Sequence, residues 1–532
     1  MPAFLTGTGN RIREILSMPA KKIEVVATVS PRSVGPASLF ATDTPITCES
    51  CHLYRSKPED VEAAKRALRE AGFTVFDAAS SDIVISIGGP AKLFAEFFGA
   101  RLRKQKAKLM EDQEMEFLAT GEEPEEALLA APESLRPLIE GAVVARPPEL
   151  FAASPLPPLP QPVPAAYRYL MLPDEVAVVL RAARVHRLGV TGRNVVVAMI
   201  DTGHYRHPWF TWHGYRVLPV LLGPGASDPS RDTNGHGTGE SANVFATAPD
   251  VRLRPVKMAA DTVGAINTAL NSTPKPQVLT NSWGYNVDRG GASLPVWLRP
   301  LEATIANAVA SGVVVCFSAG NGHYAFPASH PDVIAVGGVH VNWPDLELEA
   351  SSYASSFDSS FYPGRHVPDV CGLTGKRVVI GGSGKAPSLM LPVQEGSALD
   401  GISPSTGADD DGWGLFSGTS AACPQVAGIC ALLLEKDSSL TPAKVKEKLM
   451  KAARDVKTGQ SRMGDPAGPG PDAATGAGLA DAKWSYLIAM GDVTAAFLAA
   501  PRDRQLEMIS SGQMPEMPAE FIEDVIETLR SR

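Results

Sequence analysis

Long apolar runs are missing from the sequence. Across its 532 residues, no stretch reaches the roughly 18 to 20 uninterrupted apolar residues that a membrane helix needs. The first 22 residues carry charges at Arg11, Arg13 and Glu14, and they contain no apolar run of the kind that a secretory signal requires. These absences predict a chain with neither a membrane span nor an export signal, and therefore a cytoplasmic location.

Cysteine is scarce, and the charge balance is not basic. Six cysteines in so long a chain are too few for a disulfide framework and favour reduced thiols. The 49 lysines and arginines are outnumbered by 58 aspartates and glutamates, which gives a net charge of −9. Because no basic block is present that could follow a phosphate backbone, we do not expect nucleic acid as a partner.

Glycine and proline are abundant by comparison, at 48 and 45 residues. Together with 44% apolar residues, this composition predicts several globular domains joined by proline-rich segments. Prolines concentrate in residues 146–166, which predicts an extended, exposed linker. We therefore divide the chain into an N-terminal tail (1–20), a small domain (21–145), the linker (146–166), a large domain (167–486) and a helical C-terminal extension (487–532).

The small domain is predicted to be a ferredoxin-like α+β unit. Its apolar residues alternate or recur at helical spacing in the order β-α-β-β-α, which is the ferredoxin-like order without its last strand. Ser56 and Glu59 are spaced as a capping box for the first helix. The last strand is expected at one of two positions, 115–119 or 141–144. The other predicted elements are strands at 22–29, 73–76 and 83–87 and helices that end at Gly72 and Gly99.

The large domain alternates apolar strands with helices, which predicts a doubly wound, mostly parallel α/β sheet. Continuous apolar runs are typical of strands that are covered on both faces, and they lie at 194–200, 251–256, 278–281, 313–317 and 333–339. Functional residues are expected at the carboxyl ends of such strands. In the C-terminal extension, one apolar stripe predicts a helix that packs on this domain or binds a partner: Phe521, Ile522, Val525, Ile526 and Leu529.

Polar residues suited to acyl transfer follow these strands or begin helices. Asp201 ends the first strand of the large domain, where a carboxylate can orient an imidazole. His236 lies between two glycines, and Ser420 begins a helix whose Pro424 is tolerated only near the first turn. Asn321 follows another strand, where its amide can donate to an oxyanion. Together these residues predict catalysis by a serine nucleophile.

The segments around these residues resemble the subtilisin-like serine proteases, or subtilases. The resemblance covers about residues 190–482 and is carried by Asp-Thr-Gly at 201–203, Gly-His-Gly-Thr at 235–238, Ser-Ala-Gly-Asn at 318–321 and Gly-Thr-Ser-Ala at 418–421, in that order. It implies that Asp201 orients His236, that His236 is the general base and then acid, and that Ser420 is the nucleophile. The amide of Asn321 and the backbone N–H of Ser420 would form the oxyanion hole.

The resemblance also implies how substrate is bound and how the enzyme is regulated. Substrate binding would fall to Ser282, Trp283 and Gly284, with Ala319 and Gly320 on the facing loop. The small domain resembles the pro-domains of subtilases and sedolisins, which assist folding and inhibit the enzyme with a tail in the cleft. We therefore expect a serine endopeptidase made as a zymogen, with protein or peptide substrates and its own pro-domain as an intramolecular inhibitor. The oligomeric state is not indicated by the sequence.

No metal or cofactor is expected for the chemistry. Few residues separate His236 from the strand at 251–256, so a loop that binds structural calcium in secreted relatives is missing, and a calcium requirement stays open. Residues 48–52, Cys-Glu-Ser-Cys-His, have the form of a haem attachment site. We interpret them as a loop of the small domain, with a thiol redox switch as the alternative.

Two other functions are compatible with the same scaffold. A peptide ligase or cyclase would have to suppress attack by water on the acyl-enzyme, and an inactive pseudo-protease would only bind peptides. The intact set of Asp201, His236, Ser420 and Asn321 argues against the inactive form. An aspartic protease needs two carboxylates that share a proton, whereas Asp-Thr-Gly occurs only at 201–203.

Overall fold

The computed structural model describes most of the chain. The described residues are 23–36, 38–42, 44–110, 113–121, 123–150, 169–290, 293–342, 345–379, 383–386, 389–400, 411–491 and 502–511, with 497, 500 and 522 as single positions. The predicted N-terminal tail, most of the linker and most of the C-terminal stripe lie outside these residues. None of the helices among them has both the length and the apolar character needed to cross a membrane.

The N-terminal unit has a ferredoxin-like sheet with one added strand. Strand order is β2-β3-β1-β7-β6, and every pair is antiparallel. Of the two positions predicted for the last strand, the second is correct, because β4 and β5 form a separate hairpin. The elements are β1 (Val25–Pro31), α1 (Pro58–Glu70), β2 (Thr74–Val75), β3 (Ile85–Gly89), α2 (Ala91–Phe98), β4 (Arg103–Met110), β5 (Gln113–Ala119), α3 (Pro124–Ala127), β6 (Leu128–Ala130), β7 (Ile139–Val144) and β8 (Glu149–Leu150).

The start of α1 differs from the predicted capping box. Lys57 is the N-cap residue, it makes no side-chain cap bond, and Pro58 occupies the first turn. Proline is favoured there because it has no N–H that needs a partner. Ser56 is buried, and its backbone N–H donates to the Asp82 carbonyl instead of its side chain capping the helix.

The large unit is built on a mostly parallel sheet, as predicted. Its order is β11-β13-β10-β14-β16-β18-β19-β27, with β12 beside β13 and β22 beside β18. The central strands β13, β10, β14, β16 and β18 are parallel, and β19 is antiparallel to β18. Strands β10, β14 and β16 are buried along their whole length, which explains their unbroken apolar sequences.

The first half of the large unit carries the central strands and six of the described helices. Its elements are β9 (Leu170–Met171), α4 (Asp174–Val179), α5 (Ala182–His186), β10 (Val196–Asp201), α6 (Pro208–Trp212), β11 (Arg216–Val217), β12 (Leu221–Leu222), α7 (His236–Thr247), β13 (Arg252–Lys257), α8 (Thr262–Leu270), β14 (Val278–Asn281), β15 (Trp283–Asn286), α9 (Arg299–Ala310), β16 (Val314–Ser318), β17 (Ala325–Phe326) and β18 (Ile334–Asn342).

The second half adds small sheets and the long buried helix α10. Helices α7 and α10 pack on each other, as do α8 and α9. Ile522, from the predicted C-terminal stripe, packs against the core of this unit. The elements are β19 (Glu347–Ala350), β20 (Phe357–Asp358), β21 (His366–Val367), β22 (Val370–Leu373), β23 (Lys376–Val379), β24 (Ser383–Ala386), β25 (Leu389–Pro392), β26 (Trp413–Phe416), α10 (Thr419–Lys436), α11 (Pro442–Ala452), β27 (Thr458–Gly459), α12 (Ala482–Ala489) and α13 (Arg502–Ser510).

The described part of the linker is extended but not exposed. Leu150 in β8 is 1% exposed, and Arg146 is 6% exposed. The prediction of an exposed spacer is therefore wrong for residues 146–150, because β8 pairs with the edge of β15 and its side chains are covered by the large unit. Residues 151–166 of the predicted linker lie outside the described residues.

Candidate active site

A buried histidine and aspartate meet at the carboxyl end of β10. His236 Nδ1 lies 2.7 Å from Asp201 Oδ1, and both side chains are almost completely buried. Gly235, which precedes His236, has φ of +91°, and a Cβ there would lie 2.6 Å from Ser397 Oγ. A Cβ on Gly237 would lie 2.3 Å from the Gly203 carbonyl oxygen. Both glycines are therefore needed for α7 to start so close to Asp201.

A second carboxylate, which the sequence did not single out, fixes the start of α7. Asp232 is fully buried and accepts hydrogen bonds from the backbone and hydroxyl of Thr238 at 2.8 and 2.7 Å. Thr202 Oγ1 donates to Asp232 and accepts from the N–H of Gly237. This network joins the residue after Asp201 to the residue after His236, so it holds the histidine and the aspartate in register.

Strand pairing places Ser420 at the same edge of the sheet. In the β10–β14 pair Ile200 lies opposite Asn281, so the next residues, Asp201 and Ser282, emerge side by side. Ser420 lies in the first turn of α10, and its hydroxyl donates to the Ser282 carbonyl at 3.3 Å. The Ser282 hydroxyl in turn donates to the Ser420 carbonyl at 2.9 Å. The helix start is where the sequence placed it, and its dipole favours negative charge near the hydroxyl.

Asn321 is oriented by the residue that precedes Ser420. Its Oδ1 accepts from the backbone N–H of Thr419 at 3.0 Å and from the Thr419 hydroxyl at 3.1 Å. Because a backbone N–H can only donate, this contact fixes which end of the amide is oxygen. Nδ2 is therefore the donor that Asn321 offers at the start of α10, as a residue of an oxyanion hole requires.

The predicted nucleophile and base are not hydrogen-bonded to each other in this structure. Ser420 Oγ bonds to Ser282, while His236 Nε2 lies 3.8 Å from Glu240 Oε1, one turn along α7. Both His236 Nε2 and Glu240 Oε1 are buried, and neither has a hydrogen-bond partner among the described residues. Catalytic contacts are often long in the absence of substrate and tighten when it binds. Glu240 was missed by the sequence reasoning, although its i,i+4 spacing from His236 on a helix was a usable signal.

The charges around His236 raise its affinity for a proton. Burial lowers the pKa of His236, but the charge and hydrogen bond of Asp201, with the charges of Glu240 and Asp232, raise it to about 9. Burial raises the pKa of Glu240 to about 8, against the opposing effect of the His236 charge. A negative charge on Glu240 therefore favours the protonated form of His236.

We expect Glu240→Gln to move the acidic limb of the pH–rate profile to lower pH. A general base must be unprotonated, so activity should rise as the pH passes the pKa of His236. Removing a neighbouring negative charge lowers that pKa, and we expect a shift of about one pH unit. The measurement is kcat/KM against pH, with Glu447→Gln on the exposed face of α11 as the control. An unmoved limb, or one shifted to higher pH, would contradict this role for Glu240.

Strand β15 contains two of the residues predicted to bind substrate and is already paired. Trp283 is fully buried, and its Nε1 donates to the Ile200 carbonyl at 2.9 Å, which anchors β15 to β10. Strand β8, in the described part of the linker, lies antiparallel to β15, with Leu150 opposite Trp283 and Glu149 opposite Gly284. The predicted substrate strand thus binds an extended segment of the same chain.

Ala319 and Gly320 lie on the loop after β16, next to Asn321. The Ala319 N–H donates to the Val336 carbonyl at 2.8 Å, and the Gly320 N–H donates to the Thr419 hydroxyl at 3.1 Å. The loop continues to His323, which contacts Glu149 and which the sequence reasoning also missed. The structure therefore places every predicted site residue at one edge of the sheet. The expected hydrogen bond between Ser420 and His236 is not formed in this structure.

The motif at 48–52 lies against the large unit. The backbone N–H of Cys48 donates to Asp332, and the Ile46 N–H donates to Glu302. Burial, with the nearby Asp332 carboxylate, raises the pKa of the Cys48 thiol to about 11, which disfavours a reactive thiolate. No group of three or more potential metal ligands occurs among the described residues. The independence from cofactors stays a prediction, as does the question of calcium.

Comparison with known proteins gives a consistent set of relatives. The model of the subtilase family matches residues 192–478. Subtilisin E of Bacillus subtilis (strain 168) is 27% identical over 291 residues, which are 52% of this chain and 64% of that protein. Subtilisin of Bacillus pumilus is 27% identical over 291 residues, which are 52% of this chain and 89% of that protein. The match thus spans slightly less than two thirds of subtilisin E.

The fold also has a solved counterpart. The crystal structure of fervidolysin from Fervidobacterium pennivorans, described as a keratinolytic enzyme related to subtilisin, is similar with a TM-score of 0.53. The similarity covers 89% of this chain and 62% of that chain at 16% identity, so it bears on the fold alone. Since the family model matches more than half of the 532 residues, the chain belongs to the subtilase family.

Proposed function

We propose that this chain is a serine endopeptidase that acts through an acyl-enzyme on Ser420. Ser420 Oγ attacks a peptide carbonyl while His236 Nε2 accepts the hydroxyl proton, and Asp201 stabilises the imidazolium. The C–N bond then breaks, and His236 returns the proton to the leaving amine. Water, deprotonated by His236, attacks the ester and releases the acid and the free hydroxyl. The observation that carries the proposal is the buried 2.7 Å contact of His236 with Asp201 at the sheet edge where Ser420 begins α10.

Negative charge that develops on the substrate oxygen needs donors already in place. The Asn321 amide, held by Thr419, and the backbone N–H of Ser420 at the start of α10 are suited to this role. For proton transfer, His236 Nε2 must exchange its place beside Glu240 for a hydrogen bond with Ser420. Both side chains are buried, so solvent does not compete for this hydrogen bond.

We propose further that the N-terminal unit inhibits this site. The support is that β8 adds a strand to β15 and that several contacts hold the unit nearby. Arg146 lies over the ring of Trp297 at 5.2 Å, and its carbonyl accepts from the Tyr285 hydroxyl at 3.0 Å. Ser86 Oγ in β3 also donates to the buried Asp261 of the large unit at 2.9 Å. A peptide substrate could not pair with β15 while β8 occupies it.

We expect the wild-type chain to cut itself shortly after Leu150. The ladder between β8 and β15 runs towards Ser282 and Ser420, so the chain leaves β8 in the direction of the nucleophile. After incubation of the purified protein, N-terminal sequencing should find a product that begins within a few residues of Leu150. Ser420→Ala should stay at full length under the same conditions.

The same experiment can contradict the proposal of self-processing. A wild-type chain that remains intact would indicate an external activator, and cutting of Ser420→Ala alone would indicate a contaminating protease. Mixing Ser420→Ala with a trace of processed wild type separates cleavage within a chain from cleavage between chains. Peptide products analysed with and without an added amine acceptor distinguish hydrolysis from ligation.

Location and substrates within the cell remain predictions. All six cysteines are free thiols, which is compatible with the reducing compartment predicted from the sequence. We propose proteins or peptides in an extended conformation as substrates, because the edge of β15 recognises backbone groups through strand pairing.

A further inference from the structure

An acidic side chain occupies a defined position along the substrate strand. Glu149 lies opposite Gly284, and Leu150 lies opposite Trp283, so a chain that continues this ladder by one residue meets Ser282. The Ser282 carbonyl is the group that Ser420 Oγ contacts. If β8 lies as a substrate would, which rests on the proposed function, Glu149 marks the third residue before the bond that Ser420 attacks. We call the place of the substrate residue that lies opposite Gly284 the Gly284 position.

His323 is already arranged to receive a carboxylate at the Gly284 position. Its Nδ1 accepts the backbone N–H of Asn321 at 3.1 Å, so the ring proton is on Nε2. Nε2 lies 3.2 Å from Glu149 Oε1, and the two side chains are 19% and 16% exposed. The proton of the histidine therefore points at the acidic group in a partly dehydrated site, where such contacts are stronger than on an open surface.

The loop that carries His323 is held by other residues of the large unit. The N–H groups of Gly322 and His323 donate to Ser355 Oγ at 3.0 and 2.9 Å. Positive charge is also present nearby, since a Cβ on Gly322 would lie 3.6 Å from Arg462 Nε. The ring of His323 is thus fixed by its own loop and does not depend on Glu149 for its orientation.

We propose that His323 determines specificity and selects substrates that carry glutamate at the Gly284 position. The carboxylate accepts a charge-assisted hydrogen bond from Nε2, whereas glutamine offers only a neutral oxygen. Aspartate is one methylene shorter and reaches the ring less well. Lysine places a donor against the Nε2–H donor of His323 and is selected against. The preferred substrates are therefore acidic, extended peptide segments.

The test uses the full chain after it has been allowed to process itself. Two quenched fluorescent peptides carry the sequence of residues 146–155, one with Glu149 as it stands and one with Gln in its place. Because hydrogen bonds to charged groups are about twice as strong as neutral ones, we expect kcat/KM to be about tenfold higher for the glutamate peptide. His323→Gln, which keeps an oxygen to accept the Asn321 N–H, should bring the ratio close to one.

Each outcome bears on one proposal. Equal rates for both peptides with active wild type would overturn the glutamate preference and leave the peptidase proposal intact. A preference retained in His323→Gln would overturn the assignment to His323. Failure to cut any peptide, with no labelling of Ser420 by a fluorophosphonate, would instead overturn the proposed function. His213→Gln, at an exposed ring that stacks on Tyr215, is the matched control and should keep the wild-type ratio. If His323→Gln does not fold, the wild-type ratio alone decides the preference.

Discussion

Replacement of Ser420 by alanine should abolish peptide hydrolysis. The hydroxyl oxygen is the atom of this residue that forms the acyl-enzyme. Without it, the site can cleave a peptide bond only by direct attack of water, which is much slower. Removal of the nucleophile from a subtilisin lowers kcat by roughly 10⁶-fold, and we expect a loss of that order here. Ser420 is 1% exposed and its methylene stays in Ser420→Ala, so the fold should be retained.

The measurement combines turnover with covalent labelling. A fluorophosphonate reacts with an activated serine, so processed wild type should be labelled and Ser420→Ala should not. Ser439→Ala is the control, because Ser439 Oγ donates to Asp437 in an exposed turn after α10. Equal labelling of wild type and Ser420→Ala, or hydrolysis that survives the substitution, would refute the acyl-enzyme on Ser420. Circular dichroism of both variants separates a lost hydroxyl from a lost fold.

The sequence was sufficient for residues that sit at the ends of regular elements. Asp201 ends one buried strand and Asn321 follows another, and the carboxyl ends of parallel strands meet at one edge of the sheet. The start of α10 could be placed because proline is tolerated only near the beginning of a helix. These inferences use periodicity, the order of the strands and the position of one proline, which is why they needed no knowledge of side-chain packing. The roles of Asp201, His236 and Ser420 stay predictions until they are measured.

The contacts that regulate the site could not be predicted in the same way. The β8–β15 ladder joins residues more than 130 positions apart through two residue pairs, and no local pattern specifies so short a pairing. A proline-rich segment also favours an extended chain whether it is exposed or buried, so the sequence could not show that residues 146–150 are covered. The proposed role of His323 could not be predicted either, because it is inferred from the contact of His323 with Glu149 in that same ladder.

Asn321→Ala should lower kcat by about 10² to 10³, the loss found when a side-chain donor is removed from the oxyanion hole of a subtilisin. KM should change little, since the donor acts on charge that develops only in the transition state. Thr419→Val provides a graded comparison, because it removes one of the two groups that hold Asn321 Oδ1 and leaves the backbone N–H. We expect its loss to lie between wild type and Asn321→Ala. A rise in KM with kcat unchanged would instead indicate that Asn321 binds the substrate ground state.

This substitution should also separate catalysis from specificity on one loop. His323 is held by the backbone N–H of Asn321, and that group is unchanged in Asn321→Ala. The ratio of kcat/KM for the glutamate and glutamine peptides should therefore stay near its wild-type value while both rates fall together. His323→Gln should do the opposite and move the ratio. If Asn321→Ala collapsed the ratio as well, the side-chain amide would be supporting the His323 ring, and the two functions of the loop would not be independent.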